Sequence, residues 1–209
     1  MKRSLIIAAA SAAGILSACT SVGGGGGYGY SAYSAANVRR LSVGNGRMSV
    51  VPPRPWNRHR ASLFADVAAV EDWTLNGPLL DEITFITGLR SGHFMVRQRR
   101  TTDQEVPKFR ADMTPPEIAA MLESLYRVRG GAVDFRTLSI KPRPFLGVSG
   151  FQFDYEHLDD DELWRKGRAV GAVVNGQLYL IMFDAARSHY YDAALPDFEA
   201  IVASAQLRG

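Results

Sequence analysis

The 209-residue chain has a single cysteine, Cys19, so it cannot close an internal disulfide even in a compartment that permits one. It has no acidic residue before Asp66 and only four lysines against twenty arginines. The basic residues Arg39, Arg40, Arg47, Arg54, Arg58 and Arg60 therefore precede every carboxylate of the mature chain, while the stretch from Asp66 onward carries a net −5. The formal +3 charge thus hides a basic front and an acidic body, and the basic isoelectric point is no argument for nucleic-acid binding. The longest apolar run, residues 4–15, is too short to span a bilayer. Its histidines show no paired spacing of the kind that marks a metal site. No internal repeat is visible. At 46% hydrophobic and 22% charged, the composition is that of a folded globular chain.

What is present begins with a leader. Met1-Lys2-Arg3 is positive, residues 4–15 are apolar, and Leu16-Ser17-Ala18-Cys19 follows. This is the build of a secretory signal peptide, and its last four residues resemble a bacterial lipobox. The resemblance implies a diacylglyceryl group on the Cys19 sulfur, cleavage after Ala18, and an acylated N-terminus. Residues 1–18 are read as a lipoprotein signal peptide and residues 19–47 as an acylated, Gly-rich tether. Five glycines at 23–27 and three nearby tyrosines have no period that builds a core; such a coil reaches roughly 30 Å. Thr20 stands where aspartate commonly retains Gram-negative lipoproteins in the inner membrane. The expected place is therefore the outer membrane, lipid-anchored and facing the periplasm.

A single globular domain is expected over residues 48–209. Short strands are read at Met48-Ser49-Val50-Val51, around Trp73, over residues 79–89 and from His93 to Gln98. Thr114-Pro115-Pro116-Glu117 is a helix start with proline at the first helical position. Ile118, Met121, Leu122 and Leu125 make one apolar stripe before Gly130-Gly131. Phe151, Phe153 and Tyr155 alternate with Gln152, Asp154 and Glu156, which predicts one wet sheet face. Asn175-Gly176 is a strong hairpin signal that sets Ala172 opposite Tyr179, Gly171 opposite Leu180 and Val170 opposite Ile181. The strand carrying Leu180 is apolar on both faces and should be central, and Gly171 should leave room for an approaching helix. A last helix is expected to start near Pro196 and to bury Phe198, Ile201, Val202 and Ala205.

The order of these elements resembles the PsbP-like fold group, which includes a photosystem accessory protein and a Ran-binding import factor. The residues that carry it are Trp56 after a proline-ended strand, Gly150-Phe151-Gln152-Phe153-Asp154-Tyr155, the Gly176-Gln177-Leu178-Tyr179-Leu180-Ile181 strand and Leu195-Pro196-Asp197-Phe198. The resemblance implies an α+β fold: an antiparallel sheet flanked by helices in an α/β/α sandwich. Functions diverge widely across such folds, so the site must decide.

Candidate chemistry is sparse. Gly147-Val148-Ser149-Gly150 lacks the spacing and the strand–turn–helix context of a nucleophile elbow and reads as a turn. His157 with Asp159, Asp160, Asp161 and Glu162 offers oxygen ligands, but no glycine stands where a calcium loop needs one, and a solvated turn is expected. His189-Tyr190-Tyr191 is read as packing under the last helix. Arg97, Arg99 and Arg100 fit contact with an anion and a charged edge strand equally well. No catalytic or metal-ligating residue is assigned, and no cofactor is called for. The expected function is a non-enzymatic interaction or small-ligand-binding module, anchored to the membrane and partnered by an envelope protein, with no nucleic-acid partner. The alternative is a metal-dependent or hydrolytic enzyme using the acidic turn and His157. Replacing Cys19 with Ser should abolish incorporation of labelled palmitate; label still entering C19S would overturn the lipobox reading.

Overall fold

The computed structural model describes residues 33–59, 67, 69–95, 106–129 and 131–208. The signal peptide, Cys19 and the Gly-rich stretch lie outside the described residues, as do Arg97, Arg99 and Arg100. Two β-sheets and two helices make up the rest. An eight-stranded sheet runs in the order β1 (Tyr33–Ala36), β4 (Trp56–His59), β5 (Val70–Thr74), β6 (Asp81–Arg90), β10 (Gln177–Ala186), β9 (Trp164–Val174), β8 (Phe151–Leu158), β7 (Asp134–Pro142). Every pairing in it is antiparallel. A small sheet joins β2 (Leu41–Val43), β3 (Met48–Val50) and β11 (Gln206–Leu207).

β10 is central, between β6 and β9. Its register against β9 is the one that Asn175-Gly176 predicts: Tyr179 pairs with Ala172, Leu180 with Gly171 and Ile181 with Val170. Asn175 and Gly176 both take positive φ, as the tight hairpin turn demands. Against β6 the register slips once, between Leu178 and Tyr179, and the extra residue is Gly88, with φ of +72°. Glycine suits that bulge because a Cβ there is strained.

The two faces of β10 feed two cores. Tyr179, Ile181 and Phe183 pack with Trp56, Trp73 and Phe85, with the small sheet, and with Phe198, Ile201 and Val202 of α2 (Tyr190–Ser204). Leu178, Leu180 and Met182 pack with Phe153, Tyr155 and with Ile118, Met121, Leu122 and Leu125 of α1 (Pro115–Arg129). α1 starts as its sequence predicts, with Glu117 reaching back to the Thr114 amide at 2.7 Å and accepting from the Thr114 hydroxyl at 2.8 Å.

Five expectations are corrected. The domain begins well before Met48. β1 pairs with β4, and Ala36, Leu41 and Val43 are buried, so residues 33–47 belong to the sheets and not to a tether. These strands are short: β1 is held by β4, twenty or more residues away, and β2 by β3 across the 44–47 turn. The polar face of β8 is covered, not wet: Gln152 is 2% exposed. Arg168 bridges Asp154 and Glu199 of α2 at 2.6 Å each, and Arg143 donates to Gln152 at 2.9 Å and to Glu199 at 2.6 Å. The space over Gly171 is filled by Leu180 itself, whose Cδ1 would lie 2.4 Å from an added Cβ, and not by a helix. α2 starts at Tyr190, so Pro196 sits inside it. A proline there costs about 3 kcal/mol, which the burial of Tyr191 and Ala194, on the N-terminal side of it, offsets. Finally, residues 91–95 are turn and irregular chain, held by Phe109 donating to His93 O at 2.9 Å, and not a strand.

Leu180 is fully buried. Truncating it to Ala should cost about 2–5 kcal/mol in urea unfolding; a neutral effect would contradict the central place of β10.

Candidate functional site

Near the end of the sheet, on the α1 side, β8, β9 and β10 bring charged groups under cover. Phe153, Tyr155 and His157 alternate along β8 and form a column of rings with Phe135 of β7 stacked beside them. Tyr126, near the end of α1, closes over His157 with centroids 4.6 Å apart. The Tyr155 ring lies across Gly167, where an added Cβ would meet the ring at 1.9 Å. A glycine in the middle of β9 thus makes room for the phenol.

His157 is 1% exposed and has both ring nitrogens engaged. Nδ1 lies 2.6 Å from Asp159 and Nε2 lies 2.7 Å from Asp184. Two carboxylates can both be satisfied only if both nitrogens donate, so the ring is an imidazolium. Burial opposes that charge, but the hydrogen bonds and charges of Asp159 and Asp184 outweigh it and raise His157 to about 9. Arg165 completes the cluster. Its Nε donates to Asp184 at 2.6 Å, and its other nitrogens donate to the Leu79 carbonyl at 2.5 Å and the Pro78 carbonyl at 3.3 Å. Burial opposes its charge too, and Asp184 more than restores it. Two cations and two anions balance. Behind them Tyr126 and Tyr155 share a hydrogen bond between their hydroxyls. Burial, followed by the Asp184 charge for Tyr126 and the Tyr126 oxygen for Tyr155, pushes both phenols well above their ordinary value.

This cluster forms the wall of a cavity of about 270 Å³ that is also lined by Leu79, Tyr126, Asp161 and the buried Met182. The acidic turn is therefore not simply solvated. Asp159 turns inward, whereas Asp160 and Glu162 are exposed and Asp161 accepts from the Leu163 amide at 3.0 Å. A larger cavity of about 440 Å³ lies between the 143–147 loop and the end of α2, but its one charged group, Arg143, already holds Glu199. The other histidines stand apart: His59 packs on Tyr33, His93 contacts the Ser91 carbonyl, and His189 packs on Tyr190. Of His189, Tyr190 and Tyr191, Tyr191 is the buried one: it belongs to the first turn of α2 and stacks on Phe183 of β10. Among the described residues no group of three or more His, Cys, Asp or Glu side chains is disposed to hold a metal ion.

Of the residues read from sequence, His157 and Asp159 meet in one site, and Asp161 stands on its rim. Asp184, Arg165, Tyr126 and Tyr155 were not singled out. The hairpin register was the available signal, since it sets Asp184 opposite Gly167 and Ala186 opposite Arg165, two opposite charges on one otherwise apolar face.

The comparisons bear on the fold. No protein-family model matches the chain, and no curated protein matches it. The solution structure of cyanobacterial PsbP (CyanoP) from Synechocystis is similar, with a TM-score of 0.55 and 14% identity over 90% of this chain and 99% of that one. The Ran-binding protein Mog1p of Saccharomyces cerevisiae aligns with a TM-score of 0.49 at 10% identity, over 84% and 96% of the two chains. LpqN, involved in cell envelope biogenesis of Mycobacterium tuberculosis, aligns with a TM-score of 0.34 at 10% identity, over 85% and 86%. The class is thus an α+β protein of PsbP-like fold, a mostly antiparallel sheet with two helices.

The state of His157 has a consequence for stability. Its folded pKa of about 9 lies above the ordinary 6.5, so its contribution is complete below about 6.5 and is lost as pH rises through about 9. That loss is roughly 3 kcal/mol. Urea melts across this range should show the decline, and H157Q should flatten it; an unchanged slope in H157Q would show that another group is responsible.

Proposed function

We propose that this protein is a non-enzymatic binding module, anchored to the membrane through an acylated Cys19. It faces the periplasm from the outer membrane and docks an envelope protein at the His157–Arg165 cavity. On this reading the domain is the α/β/α sandwich of the PsbP-like fold, with the cavity between the α1 layer and the sheet. The observation that carries the proposal is the state of His157: with both nitrogens donating to carboxylates, it has no lone pair with which to act as a base. Nucleophilic catalysis needs a nucleophile beside an available base, and His157, the imidazole at this cavity, has both nitrogens committed to carboxylates.

The volume and lining of the cavity narrow the partner. About 270 Å³ is below the usual range for small-ligand pockets, about 300–1,000 Å³, and suits one inserted side chain. The lining mixes the histidine, arginine and carboxylates with Leu79, Leu125 and Met182, so the inserted group meets both polar and apolar walls. The exposed Leu79 and the ring of Tyr126 then give a partner an apolar rim around a polar floor.

A photo-crosslinking residue at Leu79 should trap a discrete envelope protein in cells, and the same residue at Leu138, on the far edge strand, should not. Adding D161R should reduce the Leu79 adduct at least tenfold while the melt stays native. Hydrolytic turnover by the purified protein that H157Q abolished without unfolding it would overturn the proposal in favour of the enzyme.

A further inference from the structure

The arginines of the basic front divide into two groups. Arg54 pairs with Asp197 at 2.5 Å, and Arg58 binds Glu71, donating from Nη2 at 2.8 Å. Arg39, Arg40, Arg47 and Arg208 have no carboxylate partner among the described residues. Arg40 donates to Ser49 Oγ and to the Ser204 carbonyl, Arg208 donates to Ser42 Oγ, and Arg47 donates to Gln177. Ser42, Ser49 and Gln206 are cross-strand neighbours on one face of the small sheet, the face opposite buried Leu41, Val43, Met48 and Val50. Arg40 and Arg208 therefore lie over that outer face. The Arg208 amide also donates to the Arg47 carbonyl at 2.8 Å, and Arg39 directly precedes Arg40. Arg39, Arg40 and Arg208 are exposed, and Val38, beside them in sequence, is 56% exposed.

We infer that this arginine-bearing face of the small sheet rests on the phosphate-bearing headgroups of an anionic membrane. The inference builds on the lipid anchor proposed above and fixes which side of the domain meets the bilayer. Three observations select that occupant. Among the described residues the guanidinium groups of Arg40, Arg47 and Arg208 meet only neutral oxygens, which leaves their charge for an external anion. The chain from Asp66 onward is net −5, so the body of the domain as a whole carries the opposite charge to its basic front. And Tyr33, where the described chain begins, is only fourteen residues beyond Cys19, which holds the domain within about 50 Å of the lipid.

The test uses a chain beginning at Thr20, which lacks the acylated cysteine and keeps the whole compact unit Ser31–Gly209. It should sediment with vesicles of phosphatidylcholine and phosphatidylglycerol, not with phosphatidylcholine alone, and raised salt should release it. Each arginine at such a surface is worth about fivefold in affinity, so R39Q/R208Q should bind about 25-fold more weakly. R110Q/R127Q removes the same charge from arginines that already hold Asp112, Glu117 and Glu123, and should change binding less than about threefold. Equal losses in the two variants, or equal binding to the two vesicles, would overturn the inference. Palmitate labelling of the native chain separates the two claims. Labelling with no vesicle preference keeps the anchor and removes this face; vesicle preference without labelling removes the anchor and keeps the face.

Discussion

The β9–β10 hairpin register is the constraint on which the rest depends. A two-residue turn with both residues at positive φ permits one pairing, and a slip by one residue would send every side chain of β10 to the opposite face. With the register fixed, Leu178, Leu180 and Met182 meet α1, and Tyr179, Ile181 and Phe183 meet α2 and the small sheet. The same pairing carries Asp184 to the α1 side, where Arg165 reaches it from β9 and His157 from β8. Core and site are thus set by one local feature.

Charge is handled differently on the two faces of the large sheet. On the α2 side, Asp154, Glu199, Arg143 and Arg168 form a chain of ion pairs that is still partly open to solvent. Burial raises the carboxylates, but the hydrogen bonds from arginine hold both Asp154 and Glu199 below their ordinary values. On the α1 side the cluster is nearly sealed, and a buried charge without a partner would be severely destabilising. Each of the four groups there has one: His157 bridges two carboxylates, and Arg165 fills the remaining oxygen of Asp184 and two turn carbonyls. In this closed arrangement both ring nitrogens of the histidine beside the run of acids are committed to carboxylates of the protein itself.

Much of this was legible in sequence where the signal is local. The α1 start, its apolar stripe, the hairpin turn and the two-faced strand all follow from residues within a few positions of one another. What was not legible depends on distant pairing. Tyr33–Ala36 carries little periodicity and becomes a strand because β4, twenty or more residues on, pairs with it. Gln152 and Asp154 read as a wet face because the arginine and glutamate that cover them come from the 143 loop and α2. His157 and Asp159 were visible as neighbours, but the burial that turns them into an ion cluster comes from Tyr126, twenty-nine residues before Tyr155, and from Asp184, twenty-seven after His157.

The account turns on His157 being an imidazolium that has no basic nitrogen to offer. Nitrogen-15 chemical shifts of its ring, followed by NMR from pH 5 to pH 10, measure this directly. The structure predicts two protonated nitrogens through neutral pH, with titration only near 9. A neutral ring at pH 7, with one nitrogen bare, would contradict it and would return His157 to the list of possible catalytic bases.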